Sequence, residues 1–491
     1  MKKPLVEEKL QIQPMGIPGL DSVLNGGLVE GSSVILSGQP GTGKTVIGLQ
    51  WLFTGYTKFK EPGVYISTTE PIASAIKNTR TLGFYSQSAV DEAGVYFSDL
   101  EILVKGRNLE EKKLDSKDIN AVVQAITNLV DKLGSKRVVF DNITGFLYRL
   151  TDVATARVFL SRLIRAMSIR NATLLLIAER NNQGLSVFGV EDSVADGIIV
   201  LNYTLGEQSM IRRLNVEKMR GVSYRSGQVI FDITGDGVII YPKIPSYSST
   251  FKTDITERLS SGLPALDKML GGGVPYGHLM LISGNTGTGK TTFGLHFLMD
   301  GLLKGEDVIY LTMEEPPEQI VKTAAEYGFD LEKFKKSGQL AFVSESLLDT
   351  NLDKLLYKIV NAAKNKPDTK RILIDSISSI ESRKIPLELV REFLVQLNFF
   401  LKSEGITAYV NHLEPSLFVS VPPQTFGPTS ATALRLSSLV DGVILARYIE
   451  REKKIINVLN ILKLRGSWHE KEIIEYEINK KGISITGPLN K

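Results

Sequence analysis

Gly38-Gln39-Pro40-Gly41-Thr42-Gly43-Lys44-Thr45 fits G-x-x-x-x-G-K-[ST] in full, and Gly284-Asn285-Thr286-Gly287-Thr288-Gly289-Lys290-Thr291 fits it again half a chain later. Glycines let the backbone curl until successive N–H groups face one concavity, which suits an anion. Gly38, Gly41, Thr42 and Gly43 supply that cradle in the first loop, and Gly284, Gly287, Thr288 and Gly289 in the second. A helix that starts at the loop adds its positive end. Lys44 and Lys290 are placed to reach β- and γ-phosphates, and the Thr45 and Thr291 hydroxyls to ligate Mg²⁺. An apolar run precedes each loop (33–36, 279–282) and a helix-like run follows (46–54, 292–303).

Further charged residues recur at matching places. Asp141 and Asp375 each end an apolar run, where a carboxylate can hold Mg²⁺ and its waters. Glu70, Glu314 and Glu315 close another strand-like run and can orient or deprotonate a nucleophile that attacks a γ-phosphate. Pro71 and Pro316 follow them, so a plain helix start is the competing reading. The second half has two acids where the first has Thr69-Glu70, which predicts unequal chemistry. Lys218 and Arg220, like Lys463 and Arg465, lie two apart on an expected strand and share a face. Such a pair can act as a finger on a neighbouring subunit's nucleotide; fingers given in trans imply a closed ring. The competing reading is an ordinary exposed edge. The histidines at 278, 296, 412 and 469 lack metal-ligand spacing and read as structural.

Elements must position these groups. Gly16-Ile17-Pro18-Gly19-Leu20-Asp21 precedes the first loop and Gly262-Leu263-Pro264-Ala265-Leu266-Asp267 the second. The repeat continues through apolar runs at 173–177 and 407–410, then 195–200 and 440–445, and closes with K-x-R-G in each half. Short apolar runs alternating with helix-like stretches predict an α/β fold. The expectation is two tandem P-loop NTPase domains, each a mostly parallel sheet flanked by helices. The boundaries are 1–243, a linker at 244–255 and 256–491.

Composition narrows the class. Of 491 residues, 58 are Lys or Arg and 54 Asp or Glu, a net charge of +4 that gives no argument for nucleic acid. Residues 403–434, where a DNA-gripping loop would lie, contain no Lys or Arg, so DNA binding is not expected. With 0 cysteines there are no disulfides, thiolate nucleophiles or zinc–thiolate sites. No apolar run is long enough to span a bilayer, and residues 1–8 lack a signal-peptide core, so a cytoplasmic protein is expected.

The entry motif, both loops, Glu314-Glu315, the strand-end aspartates, the K-x-R-G strands and Arg465-Gly466-Ser467-Trp468-His469 closely resemble the KaiC family of the RecA superfamily. The resemblance covers nearly the whole chain. It implies tandem RecA-like ATPase domains in a two-tiered hexamer, with ATP and Mg²⁺ at subunit interfaces and regulatory protein partners. It also implies autophosphorylation in the second domain. The matching acceptors are Ser437 and Ser438, with Thr432 where the family has a third hydroxyl. Two other readings stay open: a recombinase-like DNA-dependent ATPase and an ATP-gated scaffold with little turnover. Thr69 departs from the family's first-domain acid pair. The family's long C-terminal tail is not matched beyond Gly487-Pro488-Leu489-Asn490-Lys491, which argues against a clock role through that tail.

Overall fold

A computed structural model describes residues 10–104, 113–180, 189, 191–205, 210–243, 256–344, 351–381, 385–414, 436–451 and 454–489. The chain divides into two compact units, Met1–Pro242 and Lys243–Lys491. The expected linker at 244–255 lies outside the described residues.

Each unit is built on a 9-stranded sheet. In the first, the order is Gly237–Tyr241, Val229–Thr234, Met210–Met219, Gly197–Leu205, Ser33–Gly38, Thr173–Glu179, Arg137–Asp141, Gly63–Ser67 and Val95–Asp99. The strands from Gly197–Leu205 to Val95–Asp99 run parallel, and the other three return as an antiparallel meander. The second unit repeats this around Leu279–Gly284. These are the mostly parallel, helix-flanked tandem RecA-like domains expected. Central strands are buried at every position, which is why they read as unbroken apolar runs.

Helices cover the faces for local reasons. Ser116–Leu133 starts at a capping box between Asp115 and Asp118 and stops at left-handed Gly134. It buries Ile119, Val122, Ile126 and Val130 at helical spacing, each worth ~1.5–3 kcal/mol. The entry motif is also structural. Asp21 accepts from the N–H groups of Met15 (2.6 Å) and Gly16 (2.9 Å), and Asp267 from that of Ser261 (2.7 Å).

One strand, Thr173–Glu179, separates the phosphate-loop strand from the strand ending in Asp141. Both carboxyl ends therefore open into one crevice, where ligands of such sheets bind. The acids expected at a strand end sit further on, because those strands stop at Ser67 and Thr312. The Ser67 hydroxyl donates to the Glu70 carbonyl (2.5 Å) and that of Thr312 to the Glu315 carbonyl (2.6 Å), folding a turn ahead of the helices Ile72–Thr79 and Pro317–Glu326.

Candidate nucleotide sites

Gly43 and Gly289 are the N-caps of Lys44–Phe59 and Lys290–Leu303, at φ 99° and 78°. No side chain caps either helix. Their first N–H groups lack intrahelical partners and face the loop, forming an anion seat. A Cβ on Gly38 would lie 2.4 Å from the Leu201 carbonyl oxygen, and one on Gly284 2.1 Å from that of Ala446, so only glycine passes.

Lys44 Nζ donates to the carbonyls of Gly38 (2.8 Å) and Gln39 (2.9 Å). Lys290 Nζ does the same with Gly284 (3.0 Å) and Asn285 (2.7 Å). Burial lowers the pKa of both ammonium groups, that of Lys290 to about 8 against the charges of Asp375, Glu314 and Glu414. A bound phosphate favours the charged form, so binding must supply a proton once pH exceeds that value. The Lys290 contribution to nucleotide affinity in the second unit is therefore expected to be full below pH 8 and to fall by about tenfold per pH unit above it. Titration in a Lys44→Ala background checks this; a flat profile to pH 9.5 contradicts it.

Thr45 Oγ1 donates to Asp141 Oδ2 at 2.7 Å, and Thr291 Oγ1 to Asp375 Oδ2 at 2.7 Å. The Tyr65 and Tyr310 hydroxyls donate to the same two oxygens at 2.9 and 3.0 Å. Burial pushes the Asp141 carboxyl up, opposed by these bonds and by Lys44. A divalent cation would favour its ionised form. Hydroxyl and carboxylate oxygens are the hard donors that suit Mg²⁺. Among the described residues no group of three or more His, Asp or Glu could hold a metal, so the other ligands would be phosphate oxygens and water. Tyr65 and Tyr310 were not singled out in the sequence, although they hold the same place in two matching strands.

The acids differ between units. Glu314 accepts from the hydroxyls of Ser376 (3.0 Å) and Ser379. Among the described residues no side chain bonds the Glu315 carboxyl, which is raised by partial burial, then by the charges of Asp375 and Glu314. In the first unit Glu70 accepts from Asn78 at 3.2 Å. That unit also carries Glu179, which accepts from Asn142 Nδ2 at 2.8 Å and pairs in register with Gly38, where the second unit has Leu413. Glu179 lies just past the repeated apolar run 173–177 and has no acidic counterpart in register, so the repeat does not mark it.

The cation pairs turn toward their own chain. Lys218 Nζ donates to the carbonyls of Asp192 (3.1 Å) and Ala195 (2.7 Å), and Lys463 Nζ to those of Ser437 (2.7 Å) and Val440 (2.8 Å). Arg465 donates to the Ser438 carbonyl at 2.8 Å, and Arg220 approaches Asp196 at 3.6 Å. Both arginine side chains stay at least half exposed. The strands end at Met219 and Leu464, so each lysine lies on its strand as expected while Arg220 and Arg465 sit one residue past the end, and Lys463 with Arg465 holds the turn that carries Ser437 and Ser438. Thr432 lies outside the described residues. No helix among them is long and apolar enough to cross a membrane.

The family model for the KaiC ATPase matches residues 13–244 and again 259–490. The circadian clock oscillator protein KaiC of Parathermosynechococcus lividus is 31% identical over 473 residues, 96% of this chain and 84% of that protein. Proteins of the same name in Prochlorococcus marinus (strain MIT 9313) and Synechococcus elongatus are 29% and 30% identical over 480 and 471 residues. Those matches cover 97% and 96% of this chain, and 93% and 88% of the relatives.

Proposed function

The chain belongs to the KaiC family of ATPases, and from that premise we propose that it binds Mg-ATP in both units, hydrolyses it and autophosphorylates in the second. The observation that carries this reading is the repeated set of an uncapped helix start, a loop lysine and a Thr–Asp pair at 2.7 Å. Loop N–H groups and Lys44 or Lys290 bind the phosphates. Thr45 with Asp141, and Thr291 with Asp375, would hold Mg²⁺, which when bound would neutralise charge on the phosphates. Glu70 and Glu315 take the proton of the attacking hydroxyl or water. In the second unit a seryl oxygen bonds the γ-phosphorus, the bond to the β-phosphate oxygen breaks, and ADP leaves.

Subunits join as a hexamer, and Arg220 and Arg465 reach a neighbour's ATP. Lys218 and Lys463 brace the strand that presents those arginines. Because Lys463 and Arg465 hold the Ser437-Ser438 turn, one strand couples the finger to the acceptors. The ring works in the cytoplasm as a switch read by partner proteins.

Incubation with Mg-ATP followed by phosphopeptide mapping tests this, with Lys290→Ala as control. Phosphate is expected on Ser437, Ser438 or Thr432 and absent in the control. ATP hydrolysis without phosphopeptide reduces the reading to a two-site ATPase. Neither hydrolysis nor phosphate favours the scaffold.

A further inference from the structure

The two phosphate loops rest on different ground. The Tyr476 hydroxyl donates to the Thr288 carbonyl, part of the second loop, at 2.6 Å. Its ring meets Phe293 edge-on at 5.3 Å, and the side chain is buried. Burial holds the phenol protonated, so it remains a donor.

Strand register identifies the counterpart. In the second unit Gly284 pairs with Ala446, Ala446 with Leu459 and Leu459 with Ile474. In the first, Gly38 pairs with Leu201, Leu201 with Leu214 and Leu214 with Val229. Two residues on, and on the same face, stand Tyr476 and Phe231. Phe231 also lies under its loop, with a ring atom 3.9 Å from a Cβ built on Gly43, but it has no hydroxyl. Among the described residues no side chain donates to the Thr42 carbonyl. The crown of the loop differs too. A Cβ on Gly287 would lie 2.4 Å from the Tyr448 hydroxyl, whereas nothing lies within 4 Å of one on Gly41.

We propose that the Tyr476–Thr288 hydrogen bond is a positioning device that holds the second phosphate loop in its anion-binding curl, making the second unit the slower to release nucleotide. The first loop, over Phe231, exchanges faster. A loop fixed in its bound shape loses less entropy on binding, so affinity and residence time rise. The inference rests on reading both loops as nucleotide sites.

Release of a fluorescent ADP analogue, chased with excess ADP from the full-length protein, tests it. Lys44→Ala isolates the second site and Lys290→Ala the first. Tyr476→Phe is expected to speed release from the second site about three- to tenfold, the span of one hydrogen bond. Phe231→Tyr is expected to slow release from the first by a similar factor. Tyr476→Phe keeps the ring, so a purely packing role would leave the release rate unchanged. Unchanged rates in both variants overturn the inference. If Tyr476→Phe fails to fold, an unchanged rate in Phe231→Tyr alone overturns it. If Lys44→Ala and Lys290→Ala each leave analogue binding intact, the nucleotide reading itself fails.

Discussion

Replacing Glu315 with glutamine is expected to cut ATP consumption by the second unit by about 10²–10⁴-fold, the usual contribution of a positioned proton acceptor. Single-turnover loss of γ-phosphate in a Lys44→Ala background measures it. The carboxyl is raised by partial burial and by the negative charges of Asp375 and Glu314. That shift moves it toward the range in which a carboxylate accepts a proton near neutral pH. Glu314 is engaged by the Ser376 and Ser379 hydroxyls, so under the proposed function it positions the turn and Glu315 accepts the proton. Glu314→Gln is accordingly expected to cost about tenfold, the loss of one charge-assisted hydrogen bond. Equal losses would assign the chemistry to the pair. An unchanged rate in Glu315→Gln would remove the carboxylate from the reaction.

What could be read from the chain alone divides along a physical line. The phosphate loops are contiguous, so Lys44, Thr45, Lys290 and Thr291 announce themselves by spacing. The sheet was legible because strands buried on both faces leave unbroken apolar runs. Contacts across strands leave no such trace. Tyr65 reaches Asp141 from a neighbouring strand, and only its recurrence as Tyr310 marks it. Lys218 and Lys463 show the reverse case. Their spacing predicts a shared face, but not that both ammonium groups end on carbonyls of their own chain. The Tyr476–Phe231 difference needs three successive strand registers before the two positions can be matched.

Arg371 is the clearest case of a role hidden in sequence, since it reads only as the start of an apolar strand. Arg371→Ala is expected to destabilise the second unit by about 3–5 kcal/mol, or roughly 10 °C in Tm. Its guanidinium is fully buried. It donates to Glu306 (2.6 Å), Asp300 (2.8 Å) and the carbonyls of Ser260 (2.6 Å) and Phe297 (2.8 Å). Arg137 repeats the arrangement with Glu61 and the carbonyls of Trp51 and Pro14. Each passes a helix glycine, Gly301 or Gly55, whose Cβ would lie 2.6 or 2.5 Å from the arginine. Removing Arg371 strands the Glu306 carboxylate in a half-buried site and leaves Asp300 to Lys304 alone (2.7 Å), which costs more than the pair contributes as a bond. It also frees the strand ending in Asp375 from the helix that begins at Lys290. The Thr291–Asp375 contact depends on that alignment, so nucleotide affinity should fall together with Tm. Saturating Mg-ATP would then restore part of the lost Tm, because ligand binding to the folded state stabilises it. Differential scanning fluorimetry with and without nucleotide reads both effects. A Tm loss below about 2 °C would mean that water replaces the guanidinium at little cost.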